Sequence, residues 1–305
     1  MMYKVFLSIV ETFIAFGFGA LAWRLRMIKS SDLGRLTRLT LDMFFPMLTF
    51  STITRNFDPS QLNELWVMPL LGIAIMAVGA LAGWYLKRFL RWRTPGRLGT
   101  FHHICAINNY VFLPIIILQN NYSERHVALL LLMNVGSTVG FWTIGVMTFT
   151  GGGSVGQALR SIFSINVAAV VAALLVCFLG IPVPEPFAYT LKYLGDITVP
   201  LMLVVIGVAL VSCFKRLFDH WFDMFYLSLV RLVAIPVVLL LLLRLLPLEP
   251  DAFETAAVVA AMPAASSSVL VARQYGGDYE FAGQAIIITT VLSLATIPLL
   301  LRFFL

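Results

Sequence analysis

Charge is scarce in this chain. Of its 305 residues, 12% are Asp, Glu, Lys or Arg, whereas 60% are hydrophobic. A soluble domain carries about 25% charged residues, so 21 basic and 15 acidic side chains are too few to solvate a globule of this size. The scarcity excludes an ordinary soluble enzyme, a disordered protein and, because the basic residues are scattered between apolar runs, a nucleic-acid-binding protein. The composition predicts a polytopic helical membrane protein.

Cysteine is scarce as well. Cys105, Cys177 and Cys213 lie in or at the ends of apolar runs, their number is odd, and their spacing follows no metal-ligand pattern. We therefore expect neither a disulfide nor a metal site. The N-terminal apolar run lacks a small-residue cleavage site and is long enough to cross a bilayer, which favours a first helix over a removed signal.

Ten apolar segments approach the length of about 20 residues that a transmembrane helix needs. They are rich in leucine and do not alternate in polarity, which favours helices over the strands of a membrane barrel. We number these segments as spans 1 to 10, and they cover residues 5–23, 36–53, 65–86, 98–118, 127–149, 162–180, 191–212, 225–243, 256–272 and 281–301.

Lys and Arg residues are distributed unevenly between the two sides of the membrane. The loops after spans 1, 3, 5, 7 and 9 hold fourteen of them, and the opposite side holds six. Because basic loops stay in the cytoplasm, this bias predicts an integral protein of the plasma or inner membrane with both termini outside, in the periplasm.

The two halves of the chain share an internal repeat. Four features recur at an offset of 154 or 155 residues, namely Asp42-x-x-x-Pro46 with Asp196-x-x-x-Pro200, Trp66 with Trp221, Pro95 with Pro250, and Gln119 with Gln274. Five spans in each half give the second half the opposite orientation, which is typical of secondary transporters. We predict a first repeat at 1–150, a glycine-rich linker at 151–158 and a second repeat at 159–305, and chance spacing is the alternative.

Spans 4 and 9 are interrupted at equivalent positions. Span 4 contains Asn108, Asn109 and a proline, and span 9 contains Pro263 followed by three serines, Ser266, Ser267 and Ser268. Proline breaks a helix, and inverted-repeat transporters bind substrate near the midplane at such breaks. The free N–H groups of half-helix ends suit a carboxylate, so these segments predict an anion site. The alternative is a pair of kinked helices whose serines bond back to their own backbone.

Several segments resemble the auxin efflux carrier family, which includes the plant PIN proteins and many bacterial carriers. The segments are Asn108-Asn109-Tyr110-Val111-Phe112-Leu113-Pro114, Ala261-Met262-Pro263-Ala264-Ala265, Val271-Ala272-Arg273-Gln274-Tyr275-Gly276-Gly277-Asp278, Thr289-Thr290 and Thr296-Ile297-Pro298. The resemblance covers essentially the whole chain, and the segments after Ala261 are the more specific ones.

The resemblance implies an all-α membrane protein of ten helices in two inverted five-helix repeats, with the PIN-like fold that is related to bile-acid symporters. Spans 1, 2, 6 and 7 would form a scaffold that dimerises, and spans 3–5 and 8–10 would form a mobile transport domain. Broken helices 4 and 9 would cross, and a small organic anion would bind there, at Asn108, Asn109, Tyr110, Pro114, Met262, Pro263, Ala264, Ser266 and Ser267.

The sequence departs from these families at informative positions. Asn109 and Leu113 stand where many auxin carriers have Thr and Gly, and residues 256–272 lack the acidic sodium ligand of bile-acid symporters. The missing acidic residue argues against sodium coupling, although amide and hydroxyl oxygens can still bind Na⁺. Candidate ion ligands are Asn134, Ser137, Thr138, Ser268, Thr289 and Thr290, and small-residue helix packing is the alternative for them. Beyond Na⁺ or H⁺ coupling, we expect no cofactor.

One basic residue, Arg231, lies deep within span 8. An ionisable residue at that depth is a functional hypothesis by default, and we include Arg231 among the candidate substrate-binding residues. Three interpretations remain open: it attracts the anion, it pairs with Asp196 or another carboxylate, or its long stem extends to the cytoplasmic face.

We expect an elevator-type carrier of a small carboxylate, either auxin-like or a dicarboxylate such as malate or malonate. A sodium- or proton-coupled symporter or antiporter on a related fold is the alternative, although an antiporter would need carboxylates in spans 4 or 9, which contain none. We do not expect an enzyme, because the chain lacks an HExxH motif, an acidic dyad and a serine–lysine pair within one span.

Overall fold

The structure, a computed structural model, describes residues 2–29, 31–56, 66–150, 165–213 and 221–305. Within these ranges the regular elements are helices, joined at one point by an isolated β-bridge. The α-helices are α1 (Met2–Arg24), α2 (Leu33–Leu39), α3 (Phe45–Asn56), α4 (Val67–Leu86), α5 (Pro95–Ala106), α6 (Phe112–Asn121), α7 (Glu124–Gly140), α8 (Val146–Thr150), α9 (Ile165–Phe178), α10 (Glu185–Gly195), α11 (Thr198–Cys213), α12 (Trp221–Leu229), α13 (Ile235–Leu243), α14 (Pro250–Ala260), α15 (Ser268–Gln274) and α16 (Tyr279–Phe304). The predicted linker at 151–158 lies outside the described residues.

Within the described residues, five helical stretches are long and apolar enough to cross a bilayer, and a sixth, Ile165–Phe178, is apolar but shorter. The five are Val67–Phe89, Glu124–Thr150, Glu185–Ala209, Trp221–Leu243 and Tyr279–Phe304. They overlap predicted spans 3, 5, 7, 8 and 10. The helical fold and these apolar helices confirm the predicted class of protein, an all-helical membrane protein.

Three wider π-helical turns interrupt the long helices, at Thr40–Phe44, Phe141–Gly145 and Val230–Ala234. Two of them end two residues before a proline, Pro46 and Pro236. A proline ring collides with the carbonyl four residues earlier and cannot donate to it, so a widened turn accommodates the ring without ending the helix. The π-helical turn at Val230–Ala234 also contains Arg231, the basic residue that lies deep within predicted span 8.

The helices of spans 1, 2, 6 and 7 pack on one another, α1 against α11 and α3 against α9 and α10. Glycine permits the closest of these approaches. A Cβ added at Gly19 would collide with the backbone of Val204, and one at Gly207 would collide with the backbone of Phe16. Small residues at such crossings let membrane helices approach closely, where dispersion forces are strongest.

The remaining long helices form a second packed group. Helix α4 lies against α5 and α7, α14 against α7 and α13, and α16 against α12 and α15. At one end of this group, the buried carboxylate of Asp223 accepts hydrogen bonds from the backbone N–H groups of Arg91 (2.9 Å) and Trp92 (3.3 Å). Arg97 forms an ion pair of 3.0 Å with Asp278, so the start of α5 is tied to the start of α16.

We expect Gly19→Ala to destabilise the protein by about 1–3 kcal/mol, because the new methyl group meets backbone atoms that cannot rotate away. The matched control is Gly17→Ala, two residues earlier on α1, where an added Cβ has nothing within 4 Å. Thermal unfolding in detergent should show a lower melting temperature for Gly19→Ala alone. Equal melting temperatures for the two variants would contradict the close packing of α1 on α11.

Candidate functional site

The two interrupted spans meet at their breaks. Helix α5 ends at Ala106 and α6 begins at Phe112, while α14 ends at Ala260 and α15 begins at Ser268. Between these ends, Asn108 pairs with Ala264 in an antiparallel bridge, and the N–H of Asn109 donates to the carbonyl of Pro263 at 2.8 Å. We call this meeting point, residues 107–111 and 261–267, the crossover.

The guanidinium of Arg231 joins the two helix ends at the crossover. It donates through Nε to Met262 O (3.1 Å), through Nη1 to Cys105 O (3.0 Å) and through Nη2 to Ala260 O (3.4 Å). These carbonyls lie at or just beyond the C-termini of α5 and α14, where helix dipoles place partial negative charge. Because Arg231 is only 1% exposed, its charge faces the helix ends and is withheld from solvent.

The carboxylate proposed as a partner of Arg231 is engaged elsewhere. Asp196 accepts from Lys192 Nζ at 2.9 Å, and both side chains are largely exposed. The sequence left open whether Arg231 attracts an anion, pairs with a carboxylate or extends to the membrane surface. In the structure, its hydrogen bonds go to backbone carbonyls at the crossover.

The two asparagines of the crossover have different surroundings. Asn108 is buried, and its Nδ2 donates to Val259 O at 2.6 Å, so it also satisfies a carbonyl at the end of α14. The side chain of Asn109 is half-buried, has no hydrogen-bond partner among the described residues, and lines a cavity. Asn108 therefore supports the backbone, whereas Asn109 presents a free amide.

The cavity beside the crossover lies between α1 and α11 on one side and the crossover, α6 and α16 on the other. Its polar side chains are Thr12, Asn109, Ser266 and Thr290, and its apolar lining includes Phe16, Phe112, Leu113, Leu203, Ile206, Ala264 and Ile286. None of the described lining residues is charged. The cavity volume of about 10 Å³ admits one water-sized occupant, which is too small for an organic substrate.

The structure divides the predicted site residues into three groups. Asn109, Ala264, Ser266 and Thr290 line the cavity. Asn108, Met262, Pro263, Arg231 and Thr289 form the crossover and its supporting bonds, since Thr289 Oγ1 accepts from the N–H of Ala264 at 3.3 Å. Of the others, Tyr110 and Ser267 lie within the crossover segments, and Pro114 and Ser268 lie in the first turns of α6 and α15. Asn134, Ser137 and Thr138 lie on α7, and two of these, Asn134 and Thr138, line a separate cavity.

Sequence reasoning missed the wall of the cavity that α1 and α11 provide. Thr12 is 1% exposed within a largely apolar helix, and a polar residue of that kind was the one available signal. Phe16, Leu203 and Ile206 look like ordinary apolar residues of a span, so only helix packing reveals them.

A polar cluster joins the starts of α7 and α14, away from the crossover. Among the described residues, His126, Asp251 and Glu254 bring ligand atoms within 4.8 Å of one another, a grouping that could hold a metal ion. Arg125 already pairs with Asp251 at 3.3 Å, and His126 Nε2 lies 3.0 Å from Glu254 Oε2. Burial and the nearby Glu254 raise the pKa of Tyr122 beside this cluster. The existing pairs account for the cluster as a link between two helix ends.

Comparison with known proteins matches this chain to membrane transporters. The family model described as "Membrane transport protein" matches residues 4–158 and 157–301. An "Uncharacterized transporter" of Methanothermobacter thermautotrophicus is 24% identical over 280 residues, which cover 90% of this chain and 90% of that protein. A "Putative malonate transporter" of Rhizobium meliloti is 31% identical over 150 residues, which cover 48% of this chain and 46% of that protein.

We expect Arg231→Met to lower the melting temperature by about 10 °C, because three buried carbonyls lose a charged donor. The melting temperature of Arg231→Lys should lie between those of Arg231→Met and the parent, since an ammonium keeps the charge but cannot reproduce the planar guanidinium fork. The control is Arg244→Met, which removes an exposed guanidinium bonded to Phe304 O. If Arg231→Met melts with the parent, the carbonyl bonds do not hold the crossover.

Proposed function

This chain belongs to the membrane transport protein family, the auxin efflux carrier family that its sequence resembles, and on that premise we propose that it carries a small carboxylate across the bilayer. The protein is an integral membrane transporter, and it is matched by relatives that are named as transporters. The carried anion would bind at the crossover, between Asn109 and Ser266.

The neutral cavity at the start of α6 is the observation that carries this proposal. Phe112 and Leu113, the first two residues of this ten-residue helix, line the cavity, and Val111 supplies no side-chain cap. Uncapped N–H groups at a helix start attract an anion through hydrogen bonds and the helix dipole. The amide of Asn109 and the hydroxyl of Ser266 add donors that can orient a carboxylate.

Ten spans in two inverted five-helix repeats are the proposed topology, with both termini outside. One local observation supports the repeat. The backbone contacts at the crossover join Asn108 to Ala264 and Asn109 to Pro263. Shifting one half by 155 residues exchanges these two contacts, as expected of two chain segments related by a two-fold axis.

We infer an elevator-type movement, which the position and size of the cavity support. A carboxylate of three or more carbons does not fit into about 10 Å³, so α1 and α11 have to separate from the crossover before substrate enters. We assign spans 1, 2, 6 and 7 to a scaffold, which would also form the homodimer, and spans 3–5 and 8–10 to the domain that moves. Arg231 would move with that domain and act by positioning the crossover.

A dicarboxylate is the first substrate to test, because a relative of part of the chain is named for malonate. Purified protein in proteoliposomes should accumulate at least one labelled acid from a panel of malonate, malate and an auxin-like aromatic acid. Failure to transport any carboxylate, with the protein folded, would contradict the proposed substrate class.

Asn109→Ala should reduce uptake by about tenfold or more, because a donor to the anion is lost, while the melting temperature stays near that of the parent. Asn108→Ala should lower both uptake and melting temperature, since Val259 O loses its donor. Thr190→Val, on α10 with its exposed hydroxyl bonded to Pro186 O four residues earlier, is the control that keeps uptake. Parental uptake by Asn109→Ala would remove that amide from the site.

A further inference from the structure

A second cavity lies away from the crossover, where α3 and α9 meet α7. Four polar side chains reach it, Thr49 from α3, Asn134 and Thr138 from α7, and Asn166 from α9, and the rest of its lining is apolar. None of the described residues that line it is acidic or basic. Its volume of about 10 Å³ accepts one water-sized occupant, which excludes an organic substrate.

Two side-chain oxygens of the lining residues have no hydrogen-bond partner among the described residues. Thr49 is 2% exposed, and its Oγ1 has none. Asn166 donates through Nδ2 to Leu41 O at 3.1 Å, which fixes the orientation of its amide and leaves Oδ1 without a donor. A buried polar atom without a partner costs about 1–3 kcal/mol, so both oxygens call for an occupant that they can bind.

The remaining polar groups also offer oxygen. Thr138 Oγ1 donates to Asn134 O at 2.7 Å, so the lone pairs of this hydroxyl oxygen remain available to coordinate a cation. Asn134 is buried and lines the same cavity, so its amide oxygen is a further candidate ligand. Hard cations prefer oxygen ligands, and the absence of a carboxylate disfavours divalent ions.

We propose that Thr49, Asn134, Thr138 and Asn166 form a binding site for a single sodium ion. The sequence drew attention to Asn134 and Thr138 alone, and the structure adds the two ligands that come from the neighbouring helices. Neutral backbone carbonyls of unwound helices coordinate Na⁺ in other transporters, and here four neutral side chains would supply the oxygens.

The site occupies the place that the internal repeat makes equivalent to the crossover cavity. At an offset of 155, Leu131 and Val135 of this cavity correspond to Ile286 and Thr290 of the other. The proposal rests on the proposed function in one respect, the assignment of α3 and α9 to the scaffold and α7 to the moving domain. With that assignment, bound Na⁺ links the two and favours the arrangement described.

Thermal unfolding of the purified protein without substrate tests the site. Na⁺ at about ten times its Kd, replacing choline, should raise the melting temperature by roughly 3–6 °C. Thr49→Val should lose at least half of that rise. In choline it should melt at or above the parental temperature, because the hydroxyl it removes has no partner.

Thr54→Val is the matched control, since Thr54 lies on the same helix with its hydroxyl bonded to Phe50 O at 2.9 Å. It should keep the full response to Na⁺. A wild-type melting temperature that is no higher in Na⁺ than in choline would overturn the sodium site and leave water as its occupant. An equal rise in melting temperature with K⁺ would do the same. A full response in Thr49→Val would overturn the ligand set. The measurement needs no transport, so it stands apart from failure of carboxylate uptake.

Discussion

The satisfaction of backbone polar groups inside a membrane is the constraint on which the rest of this structure depends. Two predicted spans break near their centres, and hydrocarbon would offer no partner for the carbonyls that the breaks release. Arg231 and Asn108 supply the donors, at Cys105, Val259, Ala260 and Met262. Without them the ends of α5 and α14 would carry unpaired dipoles toward each other, so these side chains make a broken pair of helices stable.

This solution also shapes the site. Because the guanidinium faces the C-terminal carbonyls, the cavity beside the crossover presents only neutral groups: a helix start, the amide of Asn109 and the hydroxyls of Thr12, Ser266 and Thr290. In the proposed function, this neutral site would hold the anion more weakly than an unpaired cation would, and it would also release the anion more readily. That balance suits a carrier, which has to discharge its substrate on the far side of the membrane.

The sequence was informative along each helix and uninformative between helices. The sequence alone showed the paired interruptions at Asn108 and Pro263 and the depth of Arg231, because proline and charged residues are rare inside spans. It did not show the partners of Arg231, since backbone carbonyls leave no sequence signal. Thr49 and Asn166 were missed for the same reason, because one polar residue in a span acquires meaning only beside another helix. Asp223 was hidden at a predicted loop, where a carboxylate is expected to face water.

The most direct test of this account is a structure of the protein with a transported carboxylate bound in a lipid nanodisc. The account predicts that the carboxylate lies against the start of α6 and the amide of Asn109, while Arg231 keeps its bonds to Cys105, Ala260 and Met262. A carboxylate paired directly with the guanidinium of Arg231, with those carbonyl bonds broken, would contradict it.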